Sequence, residues 1–327
     1  MKFDDIAGQK EIISSISSQL AGGEVGHAYV FTGPEGIGKR TMARIFSSSL
    51  LCSERNGSDA CGRCKSCRLF DSGSNPDYKV IEPEGNSISI DEIREMQGDI
   101  IIRPLYSDKK VYVIIDADKM TVQAQNCLLK TLEEPPEYAV IIMTTANYHA
   151  LLETIRSRAQ RYSFKKNTPD EIRSVLTARF GPDIPDMDFY VSYCDGIIGT
   201  AVKLAESGEF KRLRDETISL AIKLSRSQLS DALDAYGFFE SNKDSISHIL
   251  DILLLIYRDL MIAVQTGNQK LLINSDKKDI IFNNIHNFTT HKLAENIEAV
   301  ETARSQLKYN ANFQLAMEVM LMKLQGK

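Results

Sequence analysis

At 327 residues the chain is long enough for two or three domains, and 43% hydrophobic content beside 25% charge is that of an ordinary soluble globular protein that folds with real cores. A formal net charge of -5 supplies no global positive field, so any contact with nucleic acid has to be local. The start Met1-Lys2-Phe3-Asp4-Asp5 has no apolar leader, and the greasiest run, Ile252–Tyr257, lies between Asp251 and Arg258, which points to the cytoplasm rather than secretion or a membrane.

In residues 3–25, Ile6, Ile12, Ile13, Ile16 and Leu20 recur at helical spacing and stop at Gly22-Gly23, which predicts a helix ahead of the first strand. His27–Ser49 then reads strand, loop, helix: Tyr29–Phe31 is a run of β-formers, Gly33–Arg40 is punctuated by glycine, and Thr41 onward has helical spacing. Gly33, Gly38 and Lys39, with Gly36 between them, fit G-x-x-x-x-G-K. In such a loop the glycines turn backbone N–H groups inward, the helix start favours anions and the lysine reaches the terminal phosphates of ATP or ADP. The next residue should carry the hydroxyl that holds magnesium; here it is Arg40, and the hydroxyl arrives one place late at Thr41. Phe3–Gln9 is expected to border the base pocket.

Cys52, Cys61, Cys64 and Cys67 follow with spacing C-x8-C-x2-C-x2-C. Thiolates two residues apart in a tight turn face one cation, and four of them close the tetrahedral shell of a structural zinc site. Cys127 and Cys194 stand apart and read as buried, inert thiols.

Tyr78–Ile81 is a second strand, Ile90–Gly98 a short helix opened by Asp91, and Val111–Ile115 a third strand whose unbroken apolar run suits a buried parallel sheet. A nucleotide hydrolase places adjacent acidic residues there, but Asp116-Ala117-Asp118 contains no Asp-Glu pair. Gln125–Pro136 predicts a helix halted by its prolines, and Ala139–Thr144 a fourth buried strand. The alternation over 28–165 indicates a doubly wound α/β domain with ligand at the C-terminal ends of its strands. Beyond Thr168 only helices are expected, among them Ser245–Val264 and Ala311–Leu324.

The blocks FDDIAGQ, HAYVFTGPEGIGK, the four-cysteine insert, NCLLKTLEEPPEYAVIIMTTAN and IRSRAQRYSF, in this order, resemble the AAA+ clamp-loader subunits of bacterial DNA polymerase III over most of residues 3–205. That resemblance implies a RecA-like α/β domain over 1–166 with a zinc insert at 52–67, a helical lid over 167–206 and an all-helical collar over 207–327. Its motor subunits, gamma and tau, hydrolyse ATP, whereas another ring member has a degraded site. Aligned on LLKTLEEPP, the family's magnesium Asp falls at Ile115 and its catalytic Glu at Asp116. The metal-binding hydroxyl falls at Arg40, and the lid arginine that senses the γ-phosphate falls at Gly199. The Arg of the family's Ser-Arg-Cys motif, which enters a neighbour's ATP site, is Arg158 in Ser157-Arg158-Ala159. The implied role is a non-hydrolysing ring member working with gamma or tau and the delta subunit to load the sliding clamp on primed DNA. The rival is an active motor using Thr41 and Asp116 or Asp118 for magnesium.

Overall fold

A computed structural model describes residues 2–55, 57–184, 186–226 and 235–325. Its contacts divide the chain into two units: residues 1–175 with 195–200, and residues 176–194 with 201–327.

The first unit is a five-stranded parallel sheet in the order β2-β3-β4-β1-β5, formed by β1 (Ala28–Thr32), β2 (Tyr78–Ile81), β3 (Lys110–Ile114), β4 (Ala139–Thr145) and β5 (Gln160–Ser163). The helices are α1 (Lys10–Gly22), α2 (Lys39–Leu51), α3 (Lys65–Asp71), α4 (Ile90–Ile100), α5 (Val122–Glu133) and α6 (Glu153–Arg156). Side chains alternate across each strand. Tyr29 and Phe31 of β1 join Val111, Val113, Val140 and Ile142 against α1 and α2. Ala28 and Val30 join Tyr112, Ile114, Ile141 and Met143 against α4 and α5. Two apolar layers, one on each face, explain why the inner strands lack a polar side.

At the start of β3 the buried Lys110 meets Asp99 at 3.0 Å, and Asp99 also accepts from the Tyr112 hydroxyl at 2.6 Å and pairs with Lys79 at 3.2 Å. Burial acts to raise the Asp99 carboxyl, but the hydrogen bonds from Tyr112, Lys110 and Lys79 outweigh it and hold the group below the usual carboxylate range.

Several boundaries differ from the sequence expectations. Residues 3–5 form a separate 3-10 turn before α1, and α4 runs to Ile100. Ser89, not Asp91, is the N-cap of α4, because Ser89 keeps extended backbone and its N–H donates to Glu92 at 2.6 Å, placing Asp91 inside the first turn. Cys194 is buried, but Cys127 is only half-buried and its thiol donates to the Gln97 side chain at 3.2 Å, since its position on α5 faces α4 rather than the sheet.

The chain passes between units within α7 (Pro169–Phe180), after Cys194, and within α9 (Ile198–Glu206). The second unit contains α8 (Met187–Tyr193), α10 (Gly208–Leu224), α11 (Tyr236–Ser241), α12 (Ile246–Thr266), α13 (Lys278–Asn284), α14 (Thr290–Lys308) and α15 (Phe313–Leu324). α12 packs on α10 and α14, and α14 on α15. Arg214 of α10 is buried. Its guanidinium donates to Asp276 at 2.7 and 3.0 Å and to Asn274 at 2.8 Å, and lies 3.6 Å from the Phe189 ring centre. The residues 227–234 and 326–327 of the predicted collar range lie outside the described residues. No described helix is long and apolar enough to cross a membrane.

Candidate functional site

The loop between β1 and α2 leaves the C-terminal end of a central strand, where parallel α/β sheets place ligands. Gly33 continues β1, its N–H donating to the Thr145 carbonyl of β4 at 3.2 Å, and Gly38 caps α2 in the left-handed region at φ 103°. Lys39 folds back on this loop: its ammonium donates to the carbonyls of Gly33 at 2.7 Å and Pro34 at 2.8 Å, and only 7% of the residue is exposed. Burial pulls the Lys39 pKa down, against the opposing charges of Asp116, Asp118 and Glu35. Two of the three ammonium protons are thus spent on the loop itself.

The residues expected at the metal and water positions are otherwise engaged. Arg40 reaches Glu82 beyond β2 at 2.8 Å, both side chains remaining exposed. Thr41 is exposed one residue further round α2, a rotation of about 100° from the place Arg40 occupies. Ile115 is buried in the core and its side chain offers no oxygen. Asp118 accepts from the Thr145 hydroxyl at 2.7 Å and the Ala146 N–H at 3.3 Å, bracing the end of β4. Asp116, left-handed at φ 50°, pairs with Lys119 at 3.4 Å.

Gly199, where the resemblance places the lid arginine, donates its N–H to the Gly36 carbonyl at 2.9 Å. A Cβ at position 199 would lie 2.7 Å from that oxygen and 2.9 Å from the Gly36 Cα. Backbone meets backbone here, and no side chain fits.

The segment before α1 is stitched to the segment that follows β5. The Gln9 amide donates to the Lys165 carbonyl at 2.6 Å and accepts from the Lys165 N–H at 3.1 Å, while Asn167 donates to the Ala7 carbonyl at 2.9 Å. Gln9, Lys10, Ile12, Ser163, Lys165 and Thr168 line an open cavity of about 220 Å³. Phe3, from the stretch expected at the base pocket, is instead buried in the core.

The four clustered cysteines come together with all sulfur atoms within 4.8 Å of one another, Cys52 and Cys64 being 4.0 Å apart. Tetrathiolate coordination of a small dication with bonds of about 2.3 Å needs sulfur separations of about 4 Å, so the cluster can hold one metal ion. The N–H groups of Cys61, Cys64 and Cys67 donate to the sulfurs of Cys52, Cys61 and Cys64 at 3.2, 3.3 and 3.4 Å, the donors that stabilise thiolates. Burial works to raise Cys64, yet hydrogen bonds from Ser53 and Cys67 outweigh it and bring its thiol down to about 6. Burial pushes Cys52 and Cys67 up. Four such thiols do not ionise together without a cation among them. Two neighbours in this insert had no sequence signal: Asp59 accepts the Phe3 N–H at 3.0 Å, and Arg55 donates to the Leu20 carbonyl at 2.7 Å, so the module grips α1 and the turn ahead of it.

Arg158 follows the short helix α6. Its guanidinium meets Glu133 at 2.9 Å and donates to the Thr154 carbonyl at 3.0 Å. Arg156, close in sequence, instead lies 5.5 Å from the Tyr148 ring centre, with Arg161 at 3.9 Å from the same ring. Of the three arginines in the block IRSRAQRYSF, Arg156 and Arg161 stack on Tyr148 and Arg158 does not. Glu133 was not singled out by sequence reasoning, because its partner is 25 positions away.

Residues 8–168 match the family model described as DNA polymerase III, delta subunit, and residues 209–326 match DNA polymerase III, delta subunit, C terminal. The DNA polymerase III subunit delta' of Bacillus subtilis is 32% identical over 321 residues, covering 97% of this chain and 96% of that protein. The subunit tau of the same organism is 27% identical over 99% of this chain, which spans 61% of the tau length. A gamma subunit-related protein of Thermotoga maritima aligns with a TM-score of 0.45 at 20% identity, covering 96% of this chain and 99% of that one. With one relative at this identity end to end, and both halves matched by models of DNA polymerase III delta subunits, the chain belongs to the DNA polymerase III delta' subunit family.

Proposed function

We propose that this chain is a non-hydrolysing member of the clamp-loader ring. It sits among motor subunits of the gamma or tau type and the delta subunit, and lends Arg158 to the ATP site of a neighbour while the ring places the sliding clamp on primed DNA. The observation that carries the first half is the backbone contact of Gly199 with Gly36, which leaves no space for an arginine that senses a γ-phosphate. The inward-turned Lys39, the buried Ile115 and the engaged Asp118 support it. The loop from Gly33 to Thr41 holds ATP or ADP, where it does so, as a static ligand. The motor alternative needs Thr41 together with Asp116 or Asp118 at a magnesium ion; Thr41 faces solvent, Asp116 pairs with Lys119 and Asp118 is bonded to Thr145.

Arg158 carries the second half. A guanidinium entering a neighbour's site neutralises charge developing on the transferred phosphoryl group, an effect of about 10³ to 10⁵ in rate at that site. The Cys52, Cys61, Cys64 and Cys67 cluster holds structural zinc, the ion whose closed thiolate shell matches this donor set. We assign 1–166 as the nucleotide-fold domain, 167–206 as the lid and 207–327 as the collar, in a cytoplasmic protein.

The purified chain should show no ATP turnover, with or without primed DNA, and should form a defined pentamer when mixed with motor and delta subunits. Sustained DNA-stimulated hydrolysis by the chain alone, abolished by Lys39→Ala, would refute the reading. Arg158→Ala should leave assembly intact and lower ATP turnover by the reconstituted ring. Unchanged turnover removes the finger assignment.

A further inference from the structure

We propose that Glu133 is a positioning residue for Arg158, holding its guanidinium in the orientation in which it meets the neighbour's phosphate; this inference rests on the finger assignment above. Glu133 is the last residue of α5, at the negative end of the helix macrodipole, where a carboxylate is electrostatically misplaced. Glu134 follows it, and Lys130 is the one cation in that last turn. A second carboxylate in such a place breaks a local rule without gain to the helix, and rules of this kind are broken where a site needs it. What Glu133 meets is Arg158, Nη2 to Oε1 at 2.9 Å.

The geometry makes this a bracket. Nη1 of Arg158 is tied to the Thr154 carbonyl at 3.0 Å, so the two terminal nitrogens are held from different elements, α5 and the turn of α6. The guanidinium has five N–H donors in a rigid plane, and two anchors fix that plane while leaving other donors for a phosphate oxygen. Both ends of the bracket are themselves fixed. Pro135 and Pro136 end α5 directly after Glu134, and Ile155 anchors α6 in the core. An arginine on a surface turn would otherwise lose several rotors on binding, and an orientation set beforehand reduces that cost. The carboxylate and guanidinium are 51% and 35% exposed at their side chains, so the pair is too weak to serve mainly as a fold element.

The test uses rings reconstituted with motor and delta subunits, sliding clamp and primed DNA. Glu133→Ala should lower kcat for ATP by about two- to fivefold, the rate equivalent of an exposed ion pair, with KM unchanged. Glu133→Gln, which keeps an acceptor at the same reach, should retain part of the rate. In an Arg158→Ala background, Glu133→Ala should change nothing further, a dependence that a purely structural role does not produce. The inference is overturned if Glu133→Ala leaves or raises kcat while Arg158→Ala lowers it, or if its effect persists without Arg158. An Arg158→Ala ring with full turnover instead defeats the finger assignment itself.

Discussion

The N–H of Gly199 donates to the carbonyl of Gly36 at 2.9 Å, bringing the first turn of α9 directly against the glycine loop. A Cβ at 199 would come within 3.0 Å of two Gly36 backbone atoms, neither of which can yield as a flexible side chain would. Gly199→Ala should therefore lower stability by about 1–3 kcal/mol, the cost of overpacking a tight contact. Gly199→Arg, which restores the lid arginine on paper, should cost more and create no ATPase. Urea unfolding and a turnover assay check both, and a stable, hydrolysing Gly199→Arg variant would sink the argument.

The exposed pair of Arg40 and Glu82 predicts the opposite kind of outcome. Arg40→Ser puts the missing hydroxyl at the position following Lys39 while removing an ion pair worth about 0–1 kcal/mol. Thermal unfolding should barely move. Turnover should stay absent, because Ile115 and Gly199 are unchanged. Measurable hydrolysis in this single variant would show that the site lacks only its hydroxyl.

Metal content gives an independent check on the cysteine cluster. Protein purified without added zinc should carry about one ion per chain, and a strong chelator should destabilise it. Because Asp59 and Arg55 tie the insert to Phe3 and Leu20, metal loss should also speed amide exchange at the Phe3 N–H. Cys64→Ser should reproduce both effects. Exchange at Phe3 that ignores the metal would break the proposed link.

The pH dependence is read most directly at Asp99. Its carboxyl is held below the ordinary range by Tyr112, Lys110 and Lys79, so its contribution to stability is present above the unfolded pKa of about 3.9 and is lost as the pH falls through the lower folded value. Asp99→Asn should cost about 2 kcal/mol near pH 7, since it strips a charged acceptor from the buried Lys110. The gap between variant and parent should close only below about pH 4. A gap that is constant from pH 7 to pH 3 would mean the ionised form is not what matters.

Much of this molecule is legible along the chain. Apolar runs such as Val111–Ile114 and Ala139–Met143 announce buried parallel strands because both faces of the sheet are covered. The four cysteine positions foretell a shared cluster because two-residue spacing leaves neighbouring thiols little choice of direction. The motif blocks resemble clamp-loader subunits of DNA polymerase III, and the end-to-end likeness to a delta' subunit of that polymerase agrees. Local signals settle what local geometry settles.

What lies between distant segments was decided only on folding. A glycine at 199 reads in the sequence as a missing arginine; packed against Gly36 it becomes a position that admits no side chain. Asp118 reads as a candidate magnesium residue of the motor alternative, yet Thr145, 27 residues on, donates to its carboxylate. The motif picks out Arg158 over Arg156, but only the fold shows their surroundings, with Tyr148 beside Arg156 and Glu133 beside Arg158. Each of these outcomes depends on which strand ends and helix turns are brought within hydrogen-bond reach, a distance of about 3 Å that spacing along the chain does not encode.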